Sequence, residues 1–393
     1  MSKNNNCPLC GSASIRIFLT RRKVPVHQNL LIRDRERATK IARGDLELAV
    51  CEKCGFIFNQ GFRLSELRYG EEYDNTQTHS PFFAEYISNL IDYLIFEKKV
   101  QNCRVLEVGC GKGLFLRKMV EIEDAGNSGY GFDPSYNGPE VELEGRLQFA
   151  KRYYGPDCAG ISADVVICRH VIEHVPDPMG LLHSIRQALI NSPQARVFVE
   201  TPCVGWILRK RVIWDFFYEH CSYFTAGSLT TAFAASGFHV EDARHLFGGQ
   251  YLWLEAKVSN LKPAVIRTPA SIPQLATRYA RLENDMKTCW QIKLKKLAGK
   301  GKIAIWGAGA KGVTFANLID PACEWIDCVV DLNPQKQGCY LPGTGHPIVN
   351  YQDLGKRGVT TTILMNPNYH AEIKLLLQKS KFKINLFTGS QEL

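Results

Sequence analysis

The chain has 393 residues, 45% of them apolar and 22% charged, with a net charge of +9. That length exceeds one ordinary core, so the composition predicts a soluble globular protein of two or three domains. No apolar run is long enough to cross a bilayer, and Met1-Ser2-Lys3-Asn4-Asn5-Asn6 lacks the apolar core of a signal peptide, so a cytoplasmic chain with no membrane partner is expected. The 14 cysteines fit a reducing compartment if some bind metal and the others are buried thiols.

Residues 1–75 form a small module built on Cys7-Pro8-Leu9-Cys10 and Cys51-Glu52-Lys53-Cys54. A two-residue spacing lets both thiolates face one ion, and two such pairs close a tetrahedron of sulfur around zinc. With Cys7, Cys10, Cys51 and Cys54 all engaged, no position remains for water, so the expected role is structural. The forty residues between the pairs must fold back on themselves. Residues 1–45 also hold ten Lys and Arg against Asp34, Glu36 and Asp45. Such a basic start suits nucleic acid, a phosphorylated small molecule, or simply a solvated face.

Ser80-Pro81 opens a helix with apolar positions 83, 87, 90, 91 and 94. Within a domain expected over 76–262, strands and helices alternate from 103 to 258, with strands expected at 104–108, 129–132, 164–168 and 196–200. A closing hairpin, 238–246 and 251–258, turns at Gly248-Gly249. That order describes an α/β, doubly wound sheet with one reversed strand. Pro263, Pro269 and Pro273 mark a linker, followed by a helix over about 274–298. Residues 263–393 carry a second α/β unit with strands near 302–306, 325–330, 361–365 and 383–387.

Two glycine-rich turns each follow an apolar strand and open a helix, which brings a ligand against bare backbone. The first is Glu107-Val108-Gly109-Cys110-Gly111-Lys112-Gly113. Its Glu-x-Gly-x-Gly-x-Gly pattern resembles class I S-adenosylmethionine methyltransferases. In that reading the glycines admit the methionine part of the cofactor and Glu107 orients its ammonium. Asp133, ending the next strand, can accept from both ribose hydroxyls or cap the helix before Pro134. The segment Cys168-Arg169-His170-Val171-Ile172-Glu173-His174-Val175-Pro176-Asp177-Pro178 lies at the carboxyl edge of the sheet, where ligands gather. Arg169 and His170 are assigned to the cofactor, although His170 and His174 could equally be structural histidines. Residues 203–226 are an insertion ending Phe217-Tyr218-Glu219-His220-Cys221-Ser222-Tyr223-Phe224, which gathers a base and its orienting groups.

The second turn, Trp306-Gly307-Ala308-Gly309-Ala310-Lys311-Gly312, matches a dinucleotide fingerprint, with Asp331 nineteen residues beyond Gly312. Taken alone it suggests NAD.

Together these motifs resemble the sugar C-methyltransferases of deoxysugar biosynthesis. The resemblance rests on the four cysteines, the turn from Glu107 to Gly113, and Glu219-His220-x-Ser222-Tyr223-Phe224. It rests also on the second turn, on Asp331-Leu332-Asn333-Pro334-Gln335-Lys336-Gln337-Gly338, on Pro342-Gly343-Thr344 and on Asn366-Pro367-Asn368-Tyr369. It implies a zinc-binding module, a class I methyltransferase domain and a C-terminal Rossmann-like domain. It implies methylation at C3 of a nucleotide-linked 4-keto-6-deoxyhexose, with His220 as base and Glu219 orienting it or holding a sugar hydroxyl. His174 and Tyr73 would meet the sugar or its keto oxygen. Gly309, Lys311, Asp331, Asn333 and Tyr369 would hold the nucleotide diphosphate, so no NAD is needed. Family members often carry Tyr where this chain has Phe217, so either Tyr218 or another donor stabilises the enolate, or the substrate sits differently.

Three alternatives stay open: an O-methyltransferase of the same substrate, an RNA methyltransferase, and a non-catalytic sugar-nucleotide binder. Residues 16–43 offer only Phe18 for base stacking, which weighs against RNA, and no nucleic-acid partner is expected. The chain is expected to act as a monomer.

Overall fold

A computed structural model describes residues 6–67, 72–74, 76–259 and 271–388. Most of the expected linker lies outside the described residues.

The N-terminal module is a sheet of long antiparallel strands, β1 (Ile15–Pro25) and β2 (Arg43–Cys51), with the short helix α1 (Arg35–Thr39) between them and β3 (Ile57–Asn59) after them. Folding the forty intervening residues into this hairpin brings the cysteine pairs together. The fourth strand comes from far along the chain: Ser222–Tyr223 pairs with β3 through Ser222↔Phe58 and Tyr223↔Ile57. The basic residues of this module are largely spent on internal bonds. Arg22 bridges Asp45 and Glu47, Arg16 meets Glu52, and Arg37 meets Glu72.

Helix α2 (Pro81–Asp92) starts where Ser80 Oγ accepts from the Phe83 N–H, and it ends in one π turn over Tyr93–Glu97. The central domain then runs β4 (Arg104–Val108), α3 (Leu114–Glu121), β5 (Ser128–Phe132), β6 (Val141–Glu142), β7 (Leu147–Ala150), β8 (Val165–Arg169), α4 (Pro178–Ala188), β9 (Arg196–Pro202), α5 (Val204–Lys210), β10 (Ser222–Tyr223), α6 (Ala226–Ala235), β11 (Phe238–Leu246) and β12 (Tyr251–Val258). Its eight-stranded sheet has the order β11-β12-β9-β8-β4-β5-β7-β6. β12 is the expected reversed strand, antiparallel to both β9 and β11. A second reversal, two-residue β6 against β7, was not expected, and neither was β7; both are too short for alternation to reveal.

The long helix α7 (Ser271–Ala298) leads into the C-terminal domain: β13 (Lys302–Trp306), α8 (Ala310–Ile319), β14 (Ile326–Val330), β15 (Ile348–Val349), α9 (Leu354–Arg357), β16 (Val359–Leu364), α10 (His370–Lys379) and β17 (Asn385–Thr388). Its sheet, β15-β14-β13-β16-β17, is wholly parallel. Gly312 lets α8 press onto β13, because a Cβ there would stand 1.9 Å from the Gly307 carbonyl oxygen.

One apolar core joins all three parts. It contains Phe18 and Leu46 of the N-terminal sheet, Ile207 and Trp214 of the insertion, Tyr279 and Trp290 of α7, and Ile303 and Val313 of the C-terminal domain. Trp214, Trp290 and Phe315 meet edge to face with centroids 5.0–5.7 Å apart. A buried Arg21–Glu283 pair, at 2.6 Å, fastens β1 to α7. The three parts therefore close on each other, with their active edges facing one space.

Candidate active site

That space is a cavity of about 290 Å³ walled by every part of the molecule. The N-terminal side gives Asn29 and Tyr73, and the central sheet edge gives His170, Glu173 and His174. The insertion contributes Phe217, Glu219 and His220, and the C-terminal domain contributes Gly309, Lys311, Asp331, Lys336 and Tyr369.

His220 and His174 stand edge to face, with ring centroids 4.7 Å apart. One ligating atom each from Glu173, His174 and His220 lie within 4.8 Å of one another. Burial first, then the neighbouring His174 ring, holds the His220 imidazole down to about 3, so it is neutral at working pH. Burial likewise lowers His174. Although burial opposes it, the hydrogen bond and charge of the adjacent His170 hold the Glu173 carboxyl down to about 2. Thus a carboxylate faces two neutral imidazoles and would stabilise either one on gaining a proton. Glu173 is fixed by the Thr201 hydroxyl at 3.0 Å and His170 Nδ1 at 3.3 Å.

Glu219 is buried and accepts from the Gln28 backbone N–H at 3.0 Å and from the Tyr73 hydroxyl at 2.9 Å. Burial pushes its carboxyl up to about 7. Tyr73 therefore reaches the cavity on the arm of a titrating acid. Tyr218 does not reach it. Its ring lies over Gly44, and its hydroxyl accepts from the Arg63 N–H at 3.0 Å and donates to Glu66 at 2.9 Å. The expected alternative donor is turned into the N-terminal module, and Phe217 takes the cavity wall.

At the first glycine turn, Gly109, Gly111 and Gly113 have φ of +72°, +55° and +73°, all left-handed. A Cβ on Gly109 would strike Val171 at 2.2 Å and one on Gly113 would strike Phe149 at 2.5 Å, while beside Gly111 nothing lies within 4 Å. The turn thus abuts the His170–His174 segment and leaves an open cradle at its centre. Burial pushes Glu107 up to about 8, and its Oε2 has no hydrogen-bond partner. An orphaned buried carboxyl oxygen beside bare backbone fits a cationic amine. Asp133 accepts from the Gly111 N–H at 2.8 Å and from Ser135, so it shapes the turn as well as facing it. Arg169 is not on the cavity wall; it pairs with Glu200 at 2.7 Å and covers the Phe115 ring. His170 does line it, and burial notwithstanding, Glu200 and Glu173 raise this ring to about 9.

At the second turn, Asp331 accepts from the Ala308 and Asn333 N–H groups, both at 2.9 Å, and so braces the loop. Asn333 is buried behind it and does not line the cavity. Lys311 is already paired with Asp215 at 2.6 Å. The sequence reading missed Lys336 as a site residue. It is only 5% exposed, and its ammonium donates to Asn29 Oδ1 at 3.2 Å and the Ala308 carbonyl at 3.4 Å, neutral acceptors that leave its charge in place. Its signal was its position five residues after Asp331. Glu173 was likewise visible as the acid before His174.

The cysteine Sγ atoms also lie within 4.8 Å of one another, with Cys7–Cys54 and Cys10–Cys51 at 3.6 Å. Sulfurs bound tetrahedrally to zinc stand about 3.8 Å apart.

Residues 79–243 match the family described as a methyltransferase domain, and residues 267–383 match the C-methyltransferase C-terminal domain. Among curated proteins, C-methyltransferase NovU of Streptomyces niveus is 24% identical over 405 residues, covering 94% of this chain and 91% of its own. A ubiquinone biosynthesis O-methyltransferase of Salmonella paratyphi A is 32% identical over 114 residues, 25% of this chain and 42% of that protein. Among solved structures, a Burkholderia thailandensis 1,6-didemethyltoxoflavin-N1-methyltransferase aligns over 46% of this chain and 81% of its own, with 16% identity and a TM-score of 0.34. The fold and site define a S-adenosylmethionine-dependent methyltransferase. The two matched regions and the near full-length relative narrow this further: the chain carries a methyltransferase domain followed by a C-methyltransferase C-terminal domain and is similar along 94% of its length to a C-methyltransferase.

Proposed function

We propose that the enzyme methylates C3 of a nucleotide-linked 4-keto-6-deoxyhexose. The observation that carries the reading is one cavity holding a neutral imidazole pair, a phenol on a titrating acid, and a buried lysine beside a phosphate-type glycine turn.

A proton on carbon next to a ketone is acidic enough for a positioned base if the enolate oxygen is stabilised. His220 takes that proton, and ionised Glu173 steadies the imidazolium. Below about 7 Glu219 holds a proton that it can donate to the Tyr73 oxygen, freeing the phenol proton for the keto oxygen. His174 is the second donor at that oxygen. Lys336, Gly309 and the start of α8 receive the diphosphate. Glu107, the glycine turn and Asp133 hold S-adenosylmethionine, which when bound supplies an electrophilic methyl group. The four cysteines hold one structural zinc. The internal pairing of the basic residues weighs against nucleic acid, and the unpaired thiols suit the cytoplasm. No described helix is long and apolar enough to cross a membrane.

The test is incubation with S-adenosylmethionine and a panel of nucleotide 4-keto-6-deoxysugars, with products read by mass and carbon NMR. A new methyl carbon bonded to C3 is expected. A methyl on oxygen, or no turnover of any member, would overturn the reading.

A further inference from the structure

A second set of reactive groups lies away from the active site, where α1 and the loop before β15 meet the C-terminal sheet. A cavity of about 500 Å³ there is lined by Arg35, Lys302, Cys323, Trp325, Asp327 and His346, among others. Cys323 is partly exposed, and its φ of +56° is a left-handed conformation held by the surrounding turn. Its Sγ lies 3.6 Å from His346 Nδ1. On the other side of the ring, Nε2 lies 3.4 Å from Asp320 Oδ2.

The surroundings decide the tautomer. Asp320 accepts the backbone N–H groups of Glu324, Trp325 and Ile326 at 2.8–3.2 Å, which fixes the carboxylate in place. Burial opposes its ionisation, but His346 and these N–H groups hold it below the ordinary carboxylate range. A carboxylate at Nε2 makes that nitrogen the donor and leaves Nδ1 as an acceptor. The resting Cys323 thiol donates to the Thr344 carbonyl at 3.0 Å, and the Thr344 hydroxyl, 2.7 Å from Nδ1, holds the ring in this orientation and can rotate to accept from Nδ1 once that nitrogen has taken the thiol proton. The result is a thiol, an imidazole that can take its proton, and an acid orienting the imidazole, the arrangement that activates a nucleophile.

We propose that Cys323 is a reactive thiol that forms a mixed disulfide with a low-molecular-weight disulfide bearing carboxylates. The Cys323 sulfur attacks one sulfur of the incoming disulfide as His346 Nδ1 takes its proton. The new S–S bond forms, the old one breaks, and the departing thiolate recovers the proton from His346, so that one thiol and one disulfide become another thiol and disulfide. Arg35 on the cavity wall, whose Nε donates to the Gly345 carbonyl, supplies positive charge for the adduct's carboxylates, whereas Lys302 is paired with Asp327 at 2.9 Å.

Cys289 provides an internal control, because it is the more exposed thiol. The reduced full-length protein is incubated with oxidised glutathione, and each cysteine peptide is followed by mass spectrometry. If accessibility alone governed the rate, Cys289 would react first. Cys323 is expected to react faster by about tenfold or more. His346→Gln is expected to slow Cys323 by about tenfold while leaving Cys289 unchanged. Equal rates at the two cysteines in the unsubstituted protein, a faster Cys289, or no adduct at Cys323 would each overturn the proposal, and none of these comparisons depends on a variant folding.

Discussion

His220 and Glu219 are neighbours in sequence with opposite electrostatics. The imidazole is held neutral by burial and a second ring, whereas the carboxyl is held near neutrality of the solution by burial alone. His220→Asn is expected to lower kcat by about 100-fold or more while S-adenosylmethionine binding by calorimetry persists. Glu219→Gln preserves both of that residue's contacts. Its amide oxygen still accepts from Gln28, and its amide nitrogen donates to the Tyr73 oxygen. Wild-type activity should therefore fall as pH rises through about 7, and Glu219→Gln should flatten that limb with a rate within about tenfold of wild type.

Glu107 carries the other linkage. In the folded cofactor-free protein its carboxyl titrates at about 8, against 4.5 when unfolded. The native state therefore keeps a proton that the unfolded chain releases. The favourable contribution is complete below 4.5 and is lost as pH rises to 8, at up to about 1.4 kcal/mol per pH unit. Glu107→Gln should reduce the fall in Tm over this window. A cationic amine favours the ionised form, so calorimetry at pH 7 in buffers of different ionisation enthalpy should detect proton release on S-adenosylmethionine binding, absent in Glu107→Gln.

At the scale of elements, much was legible. The hairpin of β11 and β12 coincides with the expected 238–246 and 251–258, because Gly248-Gly249 marks the turn just before the apolar run Tyr251-Leu252-Trp253-Leu254. The glycine turns and the cysteine pairs carry their geometry in their spacing. What escaped was long-range. Nothing local in Ser222–Tyr223 announces that it completes a sheet begun two hundred residues earlier, nor does Tyr218 reveal that it faces Gly44. Lys311 looked like a phosphate contact because Asp215, its partner, sits in a different part of the chain. The zinc cluster belongs to this scale. The purified protein should contain one zinc per chain by metal analysis. Cys51→Ser should lose it and lower Tm by several degrees, on the order of 5 °C or more, since the cysteine ends a central strand.

For the whole molecule, the cavity exists only because three parts close together. Lys336 touches Asn29 across 307 residues of sequence, so the nucleotide side and the N-terminal module share one wall. Lys336→Met should raise the KM for the nucleotide sugar by about tenfold or more with kcat less affected, as expected for a lost charged contact to a diphosphate.

The pairing of β10 with β3 has a practical corollary. Glu219 and His220 end two residues before that strand begins, so the segment bearing them is hydrogen-bonded to the cysteine module rather than to the sheet that carries the glycine cradle. Amputating the first seventy-five residues would strip that segment of its mooring, and the remainder could still cradle a nucleoside while having lost the hand that removes the proton.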